Sequence, residues 1–166
     1  VEIAAAIQEA RMTELAITHL AQLREDLAAA ARVLILGDNA GEIVFDLPLV
    51  EWLRGKDVYY AVKSAPIAND VTMADAEQVG MGRFATVVSI GCAIQGTPLD
   101  LCSPEFRELF ASADVIISKG QGNFETLDDV AANLYFIVKA KCAPAAQALG
   151  VRVGDVVLLA QRQRRP

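Results

Sequence analysis

Two patterns of apolar residues alternate along this chain. Short unbroken runs of Val, Ile and Leu recur, and between them apolar and polar positions alternate at helical spacing. Residues 2–31 are rich in Ala, Leu, Glu and Gln and lack Gly and Pro, which predicts one long helix or two short ones. The unbroken runs predict strands at 33–36, 57–62, 85–90, 114–118, 134–138 and 155–159. Helices are expected at 43–54, 69–79, from Pro104 onward, at 127–132 and at 144–149. Helix punctuation fits this reading. Gly55 and Gly80 stand at helix ends, Asn69 or Asp70 near an N-cap, and Ser103-Pro104 supplies an N-cap followed by proline at the first helical position. Aliphatic strands alternating with helices imply an α/β fold, with a mostly parallel, Rossmann-like sheet covered on both faces and an N-terminal helical segment. With no repeat, low-complexity tract or linker, residues 1–166 read as one domain.

Composition narrows the function. The chain is 54% hydrophobic but only 6% aromatic, so its core should be aliphatic. A net charge of −6 argues against nucleic acid as a partner. No stretch approaches the roughly 18 apolar residues of a membrane span. The opening Val1-Glu2-Ile3 has neither the basic region nor the cleavage site of a signal peptide. It also lacks an initiator Met, so processing or fragmentation is expected. Arg162, Arg164 and Arg165 form a small basic tail expected to be solvated. Cys92, Cys102 and Cys142 show no paired spacing and read as reduced, buried thiols of a cytoplasmic protein. With no CxxC and one histidine, His19, a self-contained zinc site is not expected. His19 falls in the N-terminal helix, away from any motif.

Three loops are expected at the carboxyl edge of the parallel sheet, where α/β folds bind ligands. The first is Gly37-Asp38-Asn39-Ala40-Gly41-Glu42, the second runs from Lys63 through Asn69 and Asp70, and the third is Lys119-Gly120-Gln121-Gly122-Asn123-Phe124-Glu125. Carboxylates with an amide oxygen suit a hard divalent cation. Lysines and the N–H groups at helix N-termini suit phosphate. Together they are equipment for phosphoryl chemistry. Glu42 reads as a first-turn acid favoured by the helix dipole, and Asp46 and Asp75 as surface or capping acids.

The blocks GDNAGEIVFD, KSAPIANDVT, ADVIISKGQGNFETL and KAKC resemble the DUF89 family, the damage-control phosphatases, metal-dependent enzymes that hydrolyse phosphorylated metabolites. The resemblance spans about residues 30 to 160. It implies Asp38, Asn39 and Asp70 as metal-binding and catalytic residues, Mg²⁺ or Mn²⁺ as the cofactor with Co²⁺ and Ni²⁺ as further candidates, and Lys119 as the phosphate contact. Lys63, Asn69, Gly120, Asn123 and Glu125 are the substrate-binding candidates. The attacking oxygen would come from a metal-activated water or, as a second choice, from Asp38 through an aspartyl-phosphate. The expected partner is a small phosphorylated metabolite, such as a sugar phosphate.

Two departures bear on substrate. Family members usually carry a larger helical region with cysteines ahead of the first strand, so pocket residues are expected to be missing and self-association is expected from uncovered apolar area. The block at 90–97 keeps Gly91 and Gly96 but carries apolar residues where more polar ones are expected. Two alternatives stand beside the phosphatase reading: a non-catalytic metal- or phospho-ligand-binding module, and a carboxyl methyltransferase. A dinucleotide binder is excluded because GxGxxG is absent.

Overall fold

The structure, a computed structural model, describes residues 12–161. Among them, β1 (Ile17–Thr18), β2 (Arg32–Leu36), β3 (Asp57–Val62), β4 (Thr86–Ser89), β5 (Val115–Lys119), β6 (Leu134–Lys139) and β7 (Val156–Ala160) form one sheet. Its order is β1-β7-β6-β5-β2-β3-β4, and every neighbouring pair is parallel except β6–β7. Among the described residues six helices lie against it: α1 (Leu20–Ala29), α2 (Ile43–Trp52), α3 (Met73–Gln78), α4 (Pro104–Ser112), α5 (Gln121–Leu127) and α6 (Ala143–Leu149).

Side chains alternate across a strand, so each strand feeds two cores. Val33, Ile35, Tyr60, Val115 and Ile117 join residues of α1, α2 and α3 on one face. Leu34, Leu36, Ile116 and Phe136 meet α4, α5 and α6 on the other. Burial on both faces explains why the central strands read as unbroken apolar runs. The predicted α/β architecture, with a mostly parallel sheet and helices on both faces, is the one observed.

Local expectations needed three corrections. Within the predicted N-terminal helix, residues 2–11 lie outside the described residues, as do Arg162, Arg164 and Arg165. The remainder is broken by β1, where the β-branched pair Ile17 and Thr18 extends the sheet beside β7. His19 stands at the start of α1 and accepts the Ala160 N–H at Nδ1, 3.0 Å away. Helix α3 starts later than expected. Thr72 is its N-cap, and the Asp75 carboxylate receives both the Thr72 N–H and hydroxyl, at 2.8 and 2.6 Å. Asn69 and Asp70 are instead drawn into contact with the loop after β2. Finally, the glycine-rich segment after β5 is itself helical: α5 starts at Gln121 and ends where a helix was predicted to begin. The short 3₁₀ turns Met81–Arg83 and Leu99–Leu101 have no period that a pattern could reveal.

Ser103 caps α4 as expected, accepting the Phe106 N–H at 3.2 Å. Replacing it with Ala should cost about 1 kcal/mol. Ile35→Ala empties a fully buried position in the sheet centre and should cost about 2–5 kcal/mol. Urea unfolding followed by circular dichroism checks the ranking, and equal losses would contradict it.

Candidate functional site

After β2 the chain turns to α2 on one face, and the next strands, β3 and β4, are laid on that side. It then returns to place β5 on the other side of β2 and enters α5 on the opposite face. The loops leaving β2 and β5 therefore diverge, and a crevice opens between them at the carboxyl edge. Register sets Leu36 level with Ser118, so Gly37-Asp38 and Lys119-Gly120 face each other across it.

Gly120 shows how closely they approach. Its φ of +85° suits glycine, and a Cβ there would sit 2.1 Å from Asp38 Cγ. The second loop is zipped to the first. The N–H groups of Val71 and Ala40 donate to Asp38 O and Asn69 O, each at 2.9 Å, and Asn39 and Asp70 form an isolated antiparallel bridge. These contacts bring Asp38, Asn39, Asn69 and Asp70 together. Asn39 Nδ2 donates to Asp38 Oδ2 at 2.9 Å and to Glu42 Oε1 at 2.6 Å, while Asn39 Oδ1 accepts Asn69 Nδ2 at 2.5 Å.

Lys119 is also gathered in. Its Nζ donates to Asp46 Oδ1 at 2.7 Å and to Glu42 Oε2 at 3.2 Å. Asp46, only 4% exposed, takes the Tyr60 hydroxyl on its other oxygen at 2.6 Å. This corrects the reading of Asp46 as a surface or capping acid. Glu42 and Asp46 are four residues apart and face the same partner, a spacing visible in the sequence.

Electrostatics follow from burial. Desolvation, then Glu42, and also Asp70, push the Asp38 carboxyl above its ordinary value, with Lys141 and Lys119 pulling the other way. Lys141, in the KAKC block, is a further cation of the site. Burial alone would depress the Lys119 ammonium, but Asp46 and Glu42 outweigh it and raise it. Desolvation and Asp46 drive the Tyr60 hydroxyl strongly upward, so it stays a proton donor.

Three of the substrate-binding candidates have other surroundings. Lys63 is 3% exposed, donates to Gly96 O and lies 3.6 Å from Asp70 Oδ2; burial lowers its pKa. It props Asp70 from behind. Asn123 is buried too. It donates to Lys119 O at 2.8 Å and Gly37 O at 3.2 Å and accepts the Thr97 hydroxyl at 2.7 Å, stapling three loops together. Glu125 is not brought to the cluster: it is exposed and accepts from Gln121 Nε2 at 2.7 Å.

Among the described residues no three His, Cys, Asp or Glu side chains converge as a metal cluster on their own. The oxygen set at the crevice is mixed: the carboxylates of Asp38 and Asp70, and the amide oxygen of Asn39. Such donors fit a hard cation, and the like-charge pressure on Asp38 is what a cation would relieve.

No helix among the described residues is long and apolar enough to cross a membrane. The family model described as the damage-control phosphatase ARMT1-like domain matches residues 2–157. An uncharacterized protein of Methanocaldococcus jannaschii is 42% identical over 161 residues, covering 92% of this chain and 53% of its own length. A damage-control phosphatase of Pyrococcus horikoshii is 43% identical over 142 residues, covering 83% and 50%. One of Archaeoglobus fulgidus is 35% identical over 133 residues, covering 78% and 46%. The crystal structure of a DUF89 family protein from Pyrococcus horikoshii superposes with a TM-score of 0.91 at 39% identity, covering 95% of this chain and 56% of that one. The chain thus spans about half the length of the curated relatives it matches. With this sheet and with these matched lengths, the chain belongs to the damage-control phosphatase ARMT1-like family, the DUF89 group.

Proposed function

We propose that this chain carries the catalytic edge of a divalent-cation-dependent phosphatase acting on phosphate monoesters of small metabolites, sugar phosphates among them. The supporting observation is the juxtaposition, across one crevice, of the Asp38–Asn39–Asp70 oxygen set and a lysine fixed by a buried carboxylate. Asp38, Asn39 and Asp70 would hold Mg²⁺ or Mn²⁺. When bound, the cation supplies Lewis-acid neutralisation of charge on the phosphoryl oxygens.

The chain's own residues do the rest. Lys119 points a permanent positive charge at the phosphate, and Asp46 with Tyr60 fixes where that charge sits. Lys63 holds Asp70, and Asn123 keeps the ends of β2 and β5 together. The first turn of α5 offers backbone N–H groups directly after Gly120. Attack on phosphorus is by water or by Asp38 itself, and acid-trapping of a phosphorylated enzyme separates the two. One second reading is a module that binds metal and phosphate without turnover; in its favour, Lys119 already spends its charge on Asp46 and Glu42.

Metal-stripped protein supplied with Mg²⁺, Mn²⁺, Co²⁺ or Ni²⁺ should release phosphate from sugar phosphates or p-nitrophenyl phosphate, and Asp38→Ala should abolish release. Folded protein that binds Mn²⁺ yet releases nothing with any metal would overturn turnover and leave the binding module.

The raised Asp38 pKa has a defined sign. A carboxyl whose folded pKa lies above its unfolded 3.8 costs stability as pH rises between the two values. Without metal, Asp38→Asn should therefore raise Tm at pH 7, with the gain shrinking toward pH 4. Mn²⁺ should raise Tm of the natural chain alone. A variant less stable at pH 7 would contradict this.

Asp46→Asn leaves Lys119 with Glu42 only, and should cost about 3 kcal/mol, the lower end for breaking a buried pair. Asp46→Asn combined with Lys119→Met should recover most of that stability but no activity. Denaturant unfolding of the single and double variants reads the difference, and additive losses would refute the pairing.

A further inference from the structure

Away from the carboxylate–lysine cluster, the segment after β4 crosses the segment entering α4. Ser103 N–H donates to Ile90 O at 3.0 Å. Gly91, at φ +86°, is pressed so close that a Cβ would stand 2.5 Å from Ser103 Cβ. Cys92 and Cys102 flank this crossing, one on each segment. The contact of Gly91 with Ser103 sets the next residue of each segment, Cys92 and Cys102, beside one another in the same apolar cluster; burial, then Cys92, pushes the Cys102 thiol up to about 12. Cys102 is buried and donates to Pro98 O at 3.4 Å, whereas Cys92 is half-buried and reachable from solvent. The expectation of buried thiols therefore holds for Cys102 alone. Cys142 stands elsewhere, before α6, where its sulfur receives Gln121 Nε2 at 3.4 Å.

We propose that Cys92 and Cys102 form a dithiol modification site whose co-substrate is a peroxide, closing reversibly to a disulfide. The Cys92 sulfur attacks a peroxide oxygen; an S–O bond forms, the O–O bond breaks, and hydroxide leaves with the thiol proton as water. The Cys102 sulfur then displaces the new hydroxyl; the S–S bond forms, the S–O bond breaks, and a second water carries away the Cys102 proton. Two thiols lose two electrons and hydrogen peroxide becomes two waters. The donor to Pro98 O is lost in the process.

The link would be felt at the crevice. Cys92 O accepts the Ser64 N–H at 3.2 Å, beside Lys63. Between Cys92 and Cys102 the chain carries Gly96, whose carbonyl takes Lys63, and Thr97, which holds Asn123. Oxidation therefore acts on the two props that stand behind Asp70 and Lys119. This goes beyond the phosphatase reading, and its test does not need the chain to turn over a phosphoester.

The protein is titrated with hydrogen peroxide, alkylated, digested and analysed by mass spectrometry. The expected product is a peptide pair joined through Cys92 and Cys102, reversed by dithiothreitol, while Cys142 stays alkylatable. Cys92→Ser should leave Cys102 reduced at the same dose. Hydrogen exchange of the linked form should change at residues 92–98. Oxidation of Cys142 ahead of the pair, or conversion of Cys92 to its sulfinic acid with no link, would overturn the proposal.

Discussion

The site depends on the reversal of strand order beside β2. Strands β3 and β4 are added on one side of it and β5 on the other, so α2 and α5 start from adjacent strand ends and pack on opposite faces. At that divergence Asp38 is packed directly against Gly120. The sheet enforces it through the register that sets Leu36 beside both Ala61 and Ser118. Breaking this register would separate every group discussed above, whereas changes on the outer helices leave it untouched.

Within the crevice, charge is arranged in two depths. Lys119 and Asp46 are buried together, and the ion pair with its Tyr60 hydrogen bond satisfies groups that would be costly alone. Asp70 is buried against Lys63, whereas Asp38 is half-buried and is held above its ordinary pKa by burial and by its acidic neighbours. A fixed cation beside a half-buried carboxylate is an arrangement that would suit a divalent ion and an anion together. Lys63 and Asn123 add stiffness rather than direct contact, because both are buried and spend their polar atoms on backbone and on Asp70 or Thr97.

Much of this was legible in the sequence for a physical reason. Strands buried on both faces must be apolar along most of their length, so β2, β3, β5, β6 and β7 announce themselves. Loops at the carboxyl edge carry the polar residues the core excludes, so Asp38, Asn39, Asp70 and Lys119 stood out. The period of the pattern could not give Asp46, because one buried acid in an apolar helix looks like any capping acid until its partner 73 residues away is known. Neither could it separate Asn123 as staple from Asn123 as substrate contact, nor place β1, whose two residues are too few for a pattern. The start of α5 was missed because Gly120 and Gly122 suggested a loop, while the φ of Gly120 in fact turns the chain directly into a helix.

We propose that the loops after β2, β3 and β5 build one cation-plus-phosphate site. The most direct measurement is anomalous diffraction from crystals of this chain soaked in Mn²⁺ and inorganic phosphate. The expected result is one strong Mn²⁺ peak touching Asp38, Asn39 and Asp70, with phosphate between it and Lys119. A peak elsewhere, or none at saturating Mn²⁺, would contradict it.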